Sequence, residues 1–186
     1  MPDAAFTRLE TERLTIRRFR PEDLDSFVAY RADPDVARFQ SWENFTRAEG
    51  VAFIEEMARQ HPDTPGEWFQ FAIELRSTSR MIGDCALHVF ADRPNEAELG
   101  FSLAPAYQGH GYAREAVAGL LDYAFSTLKK SRIEALTDVR NLNSIAVLGQ
   151  LRFVRDTAIR EPVEFKGEFC SEFLYLLRRD AWRAGP

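Results

Sequence analysis

Gln108-Gly109-His110-Gly111-Tyr112-Ala113 is the stretch whose residue types and spacing speak most directly of chemistry. Its two glycines let backbone approach a ligand closely and adopt positive φ. Immediately after it, Ala113, Ala116, Val117, Leu120, Leu121, Ala124 and Leu128 keep three-and-four spacing, which predicts a helix from about Gly111 to Leu128 with one buried stripe. First-turn N–H groups lack intrahelical acceptors, and the helix dipole adds positive potential there. The loop is therefore suited to an anion, above all a phosphate or pyrophosphate. Three ligands compete for it. A P-loop would carry Lys-Ser or Lys-Thr after its second glycine, and neither is present, which disfavours nucleoside triphosphate hydrolysis. A dinucleotide loop reads Gly-x-Gly-x-x-Gly or Ala and opens a parallel βαβ unit; here Arg114 takes the last position and an antiparallel meander precedes the loop. Coenzyme A is the third.

The elements that must hold this loop follow from periodicity. Leu14 and Ile16 alternate with Thr15 and Arg17, a strand with one buried face. Pro21-Glu22-Asp23 starts a helix whose inward stripe is Leu24, Phe27 and Val28, interrupted at Asp33-Pro34. Thr46-x-x-Glu49 has capping-box spacing and opens a second helix, with Val51, Ile54 and Ala58 as its apolar face. Phe69, Phe71, Ile73 and Leu75 alternate as a strand, and the polar break Ser77 to Arg80 turns it into a hairpin with Met81 to Phe90. After Asp92-Arg93-Pro94-Asn95, Glu98 to Leu103 forms a third strand that ends at Ala104-Pro105. Beyond the long helix come a strand from Ile133 to Val139, a short helix from Leu142 to Leu151, and strands from Phe153 to Arg160 and Phe169 to Arg178 around a polar loop. The expected architecture is one α/β domain over residues 1–186, with a strand–helix–strand crossover from about residue 98 to 139.

Composition narrows the partners. With 186 residues, 45% of them hydrophobic, the chain can fill a sizeable core. A net charge of -5 argues against broad phosphate neutralisation on a nucleic acid and suits a cationic acceptor. Cys85 and Cys170 lie in predicted strands and read as buried, reduced thiols without a nucleophile motif. His61, His88 and His110 lack ligand spacing, so no metal site is expected. Nothing resembles a signal peptide or membrane span, which makes a cytoplasmic location, with no membrane partner, the default expectation.

The loop also fits a longer pattern. (Gln or Arg)-x-x-Gly-x-(Gly or Ala) is read here as Gln108, Gly111 and Ala113, preceded by Glu98-Leu99-Gly100-Phe101-Ser102-Leu103 and followed by Asn141-x-x-Ser144. On these residues the chain resembles the GNAT superfamily of N-acetyltransferases, from Thr11-Glu12-Arg13-Leu14 to the last strand. Within it the Rim-type branch is the most similar, which includes ribosomal-protein N-terminal acetyltransferases and relatives that modify small amines. The resemblance implies a mixed, mostly antiparallel central sheet flanked by helices, with a splayed central strand pair. It also implies acetyl-CoA as cosubstrate without a metal, and direct transfer of acetyl to a primary amine: a protein N-terminus, or a small molecule such as a polyamine or aminoglycoside. A monomer or homodimer is expected.

Roles then carry over position by position. Backbone groups of Phe101 and Leu103 would pair with the pantetheine arm as though it were an added strand. Backbone N–H groups of Gln108, Gly109, His110, Gly111, Tyr112 and Ala113 would hold the pyrophosphate, with Arg114 beside a coenzyme phosphate. Asn141 would approach the pantetheine, and Ser144 the sulfur of the departing thiolate; both types also favour a helix start. Glu98 matches the family's general base, and an amine attacking a thioester must lose a proton. Strand parity sets Glu98 opposite Leu99, Phe101 and Leu103, so an inward-facing role is expected to need a distorted strand. Where many relatives carry a tyrosine acid this chain has Leu148, which shifts that role to Ser144 or water. Gly149, Gln150 and Arg152 also depart from the family pattern, while Leu151 and Phe153 keep its apolar anchors. Trp42, Glu43, Glu161, Glu164 and Glu168 lie where relatives border the acceptor cleft. Two other readings stay open at this level: a non-catalytic acyl-CoA-binding or sensor module, and, more weakly, a nicotinamide-dependent dehydrogenase.

Overall fold

The structure, a computed structural model, describes residues 6–158 and 160–182. In chain order it contains β1 (Arg8–Glu10), β2 (Leu14–Arg17), α1 (Leu24–Arg31), α2 (Pro34–Ala37), α3 (Arg47–Arg59), β3 (Trp68–Leu75), β4 (Arg80–Val89) and β5 (Glu96–Leu103). Then follow α4 (Tyr112–Asp122), β6 (Arg132–Asp138), α5 (Leu142–Gln150), β7 (Val154–Arg155), β8 (Val163–Phe165), β9 (Glu168–Cys170) and β10 (Glu172–Arg178). Eight strands form one sheet in the order β1-β2-β3-β4-β5-β6-β10-β7, and β8 and β9 make a separate hairpin. Every neighbouring pair in the large sheet is antiparallel except β5 and β6, which α4 joins as the expected crossover.

Each sheet face carries its own apolar layer. Ala116, Val117, Leu120, Leu121 and Ala124 of the α4 segment are fully buried with Leu14, Ile16, Phe71, Ile73, Leu87, Leu99 and Ile133. On the opposite face Phe27 and Tyr30 of α1 and Ile54 and Met57 of α3 pack with Ala72 and Met81. Burying the Val, Leu, Ile, Phe and Met side chains is the main term stabilising both layers, at roughly 1.5–3 kcal/mol each. Arg17, buried, is neutralised by a bidentate bond to Asp23 at 2.7 and 2.8 Å and by Glu74 at 2.7 Å. Asp23 also accepts the Arg20 N–H at 2.7 Å, which anchors the single 3-10 turn of Pro21–Asp23 that leads into α1.

Several elements differ from the periodicity reading. The inward face of α3 is Gly50, Phe53, Ile54 and Met57, while Val51 and Ala58 are exposed. The Thr46–Glu49 capping box is present. After Asp122 the long helix continues as one π turn, Tyr123–Thr127, so its apolar stripe persists while the backbone ladder changes. The strand expected from Phe153 to Arg160 shrinks to Val154–Arg155; Ile159 lies outside the described residues. The polar loop after it contains β8 and the turn of the β8–β9 hairpin, and the strand expected from Phe169 to Arg178 is divided at Ser171 into the end of β9 and β10. Cys85 and Cys170 are both buried and free. Among the described residues no helix is long and apolar enough to cross a membrane.

Candidate active site

Pairing between β5 and β6 covers only Glu96–Glu98 against Arg132–Glu134. Beyond it the strands separate, and the gap opens into a cleft of about 620 Å3. Glu98 and Ser102 face it from β5, Thr137 and Asp138 from β6, and Ser144 and Leu148 from α5. Glu98 does point away from buried Leu99 and Leu103, as parity requires. The expected distortion is absent, because β4 and β5 stay in register from Gly83↔Leu103 to Val89↔Ala97. Parity does not exile Glu98, because α1, α3 and the loop between α2 and α3 lie over that sheet face and make it one wall of the cleft.

This setting changes the acidity of Glu98. Burial disfavours its carboxylate, the neighbouring carboxylates of Glu134 and Glu172 add repulsion, and Arg160 opposes them weakly; the result is a pKa pushed up to about 7. Glu134 is itself fixed by Arg93 at 2.9 Å and Arg132 at 2.8 Å. A carboxyl held near neutrality can take a proton and give it up again at working pH. No periodicity marks Glu134 or Glu172 as its partners; the parallel register Glu98↔Glu134 brings the first of them alongside.

The glycine loop is braced from within and from the chain's start. Gly109 and Gly111 adopt φ of 78° and 80°, and Gly111 is the left-handed N-cap of α4 with no side-chain cap. Among the described residues, the backbone N–H groups from Gly109 to Arg114 find no acceptor in the protein. Gln108 differs: its N–H donates to Pro105 O and its Nε2 to Leu103 O at 3.0 Å, so it braces the loop and leaves no donor of its own backbone free. His110 Nδ1 lies 2.8 Å from Gln108 O, and its ring stacks on Tyr112. Arg114 is exposed and has no ion-pair partner among the described residues.

The loop's outer brace escaped sequence reasoning. Glu115 accepts from Thr11 Oγ at 2.6 Å, from Arg13 N–H at 2.7 Å and from Arg13 Nε at 2.6 Å, while Arg13 Nη1 donates to His110 O at 3.0 Å. Burial pushes the Glu115 carboxyl up, but the bonds from Thr11 and Arg13 outweigh it and hold the group below its usual range. The Thr11-Glu12-Arg13-Leu14 signature was the available signal, although nothing in it announces Glu115 as the partner.

Asn141 caps α5, its Oδ1 accepting the Ser144 N–H at 3.2 Å, while the Ser144 hydroxyl has no partner among the described residues. Phe101 lines the cleft half-buried; Leu103 is buried at the strand end. Thr137 Oγ is buried in the wall without a hydrogen bond. The far wall is aromatic and acidic. Trp42 lines it, its ring 3.8 Å under the Arg31 guanidinium, and Arg31 is paired to Asp84 at 3.0 Å. Glu56, Glu67 and Glu172 face the same space. Glu43, Glu161, Glu164 and Glu168 do not line it.

Known proteins share this arrangement. The family described as the acetyltransferase (GNAT) domain matches residues 13–154. An uncharacterized N-acetyltransferase of Bacillus licheniformis, p20, is 33% identical over 92% of this chain and 97% of its own. The fold is that of a GNAT-family acetyltransferase from Bacillus anthracis, at a TM-score of 0.82 and 24% identity over 94% of this chain and 99% of that one. It is shared by spermidine N-acetyltransferase from Vibrio cholerae in complex with CoA and spermine (TM-score 0.78, 19% identity, 92% and 98% covered). Ribosomal-protein-S5-alanine acetyltransferase from Vibrio fischeri has it too (TM-score 0.75, 22% identity, 95% and 99% covered). The chain therefore belongs to the GNAT family and is an N-acetyltransferase, with a ribosomal-protein-S5-alanine acetyltransferase among its structural neighbours.

Proposed function

We propose that this enzyme transfers the acetyl group of acetyl-CoA to a primary amine bound in the cleft, by direct attack on the thioester. The coenzyme pyrophosphate lies on the unpaired N–H groups from Gly109 to Ala113, with Arg114 beside a phosphate, and the pantetheine arm runs along Phe101 and Leu103, where β5 has left β6. Residues fit such a ligand: Gly111 has no side chain to cap the helix start, and a strand edge is open next to it. Glu98 takes the amine proton directly or through one water as the new C–N bond forms. The C–S bond then breaks, and Ser144 or water protonates the departing thiolate. Buried Leu148 offers no proton at the position where many relatives use tyrosine. The acceptor is a protein N-terminus or a small amine such as a polyamine or aminoglycoside, in keeping with the acidic, aromatic far wall.

The observation that carries this reading is Glu98, held near pKa 7 at the point where the strands part. Thiol release from acetyl-CoA, measured across peptides and polyamines, tests it. Glu98→Gln is expected to lower kcat by roughly 10²–10⁴-fold while coenzyme A binding persists. The parent's kcat/KM should rise with pH and level off above about 7, as the base ionises. A Glu98→Gln enzyme as fast as its parent would remove Glu98 from the chemistry.

A further inference from the structure

The β8–β9 hairpin closes one side of the cleft, contributing Phe165 and Cys170 to its lining. Its two-residue turn is Lys166-Gly167, at φ of 53° and 77°. Both values lie in the left-handed region, as a type I′ turn demands, and the first position then favours asparagine, aspartate or glycine. A lysine there is conformationally costly. Its side chain shows what offsets the cost: the ammonium donates to the carbonyls of Ala37 and Trp42, each at 2.7 Å, and lies 3.6 Å from Glu43. Ala37 ends α2, where the helix dipole leaves negative potential that favours a cation. Trp42 belongs to the opposite wall of the cleft. One side chain, 19% exposed, thus ties the tip of the hairpin to the aromatic wall it faces across the cleft.

We infer that Lys166 is a positioning residue for the acceptor: its bonds to Ala37 and Trp42 hold the hairpin wall and the Trp42 wall at a fixed separation, and so set how tightly the acceptor amine is held. The coenzyme contacts proposed above lie on β5, the glycine loop and the start of α5, none of which Lys166 bonds. This inference rests on the acyltransfer reading given above.

Lys166→Asn tests it, because asparagine suits the left-handed turn but is too short to carry a donor to Ala37 and Trp42. With acetyl-CoA as donor, and spermidine and an alanine-initiated hexapeptide as acceptor probes, the acceptor KM should rise about tenfold. The KM for acetyl-CoA and kcat should stay within twofold. Lys166→Arg, which restores donors, should recover most of the acceptor KM. Hydrogen exchange of the amides from Val163 to Cys170 should quicken in Lys166→Asn and not in Lys166→Arg. An unchanged acceptor KM or unchanged hairpin exchange in Lys166→Asn overturns the inference. If neither probe is acetylated by the parent, it is the acceptor reading that fails, and hydrogen exchange alone still decides whether the latch exists.

Discussion

Glu98 is costly to the fold for the same reason that suits it to the role of base proposed above. An unfolded glutamate titrates near 4.5, whereas this one holds its proton to about 7. Between those values the folded chain binds more protons than the unfolded one, so stability falls as pH rises, and the whole loss is present above 7. The full shift corresponds to about 3 kcal/mol, and partial contact with water reduces it to about 2 kcal/mol. Glu98→Gln should therefore be more stable than the parent at pH 8 by about 2 kcal/mol, roughly 4–8 °C in Tm for a chain of this size. The difference should close toward pH 4.5. Thermal melts at several pH values check the sign, and a variant less stable at pH 8 would mean that the Glu98 carboxylate is better solvated than its surroundings imply. The same side chain shows a limit of sequence reasoning. Its face was readable from alternation, but the value of that face was not, because the cover over it comes from α1, α3 and the Trp42 loop, residues distant in sequence.

At the scale of elements, the junction of glycine loop and α4 is the most exacting. A valine at Gly111 would have to adopt φ of 80°, an outlier for a β-branched residue, with its Cβ 3.4 Å from Arg13 Nη2. Gly111 is itself exposed, so Gly111→Val should fold with a loss of about 1–3 kcal/mol. Its coenzyme A binding should vanish by calorimetry, and unchanged binding would sink the loop's assignment. This junction was legible because glycine spacing and helical period coincide at Gly111-Tyr112-Ala113. So were β3, β4 and β5, whose aromatic and branched residues alternate or run together. Short polar pieces were not. Arg8-Leu9-Glu10 is an edge strand too brief to show a period, and Val163 to Glu168 reads as polar loop because its pairing is stabilised by backbone rather than by buried side chains. In α3 the spacing points to Val51 and Ala58, but larger Phe53 and Met57 on the neighbouring arc fill the space under α1. The buried Arg31–Asp84 pair escaped because Asp84 stands alone in an apolar strand, and its partner is 53 residues away.

As a whole molecule the protein is two half-sheets, β1 to β5 and β6 with β10 and β7, meeting along three register pairs. A ligand that lies between them and binds only the folded chain stabilises both at once. Coenzyme A at a hundred times its dissociation constant should add about 2.7 kcal/mol, or roughly 5–10 °C in Tm. NADH at the same concentration should move nothing; a shift with NADH in place of coenzyme A would return the loop to the dinucleotide class.

The brevity of that junction also fixes its mechanics. Glu96 to Glu98 and Arg132 to Glu134, cross-linked through Arg93 and Arg132, act as a fulcrum at one end of the gap. Leu103 stands at the end of a lever about 16 Å long. A rotation of roughly 5° at the fulcrum widens the far end by about 1.4 Å, yet leaves the Glu98 carboxylate almost stationary. The width of the gap at the Leu103 end is thus the dimension most sensitive to the angle between the half-sheets, and Glu98 sits at the still point of that swing.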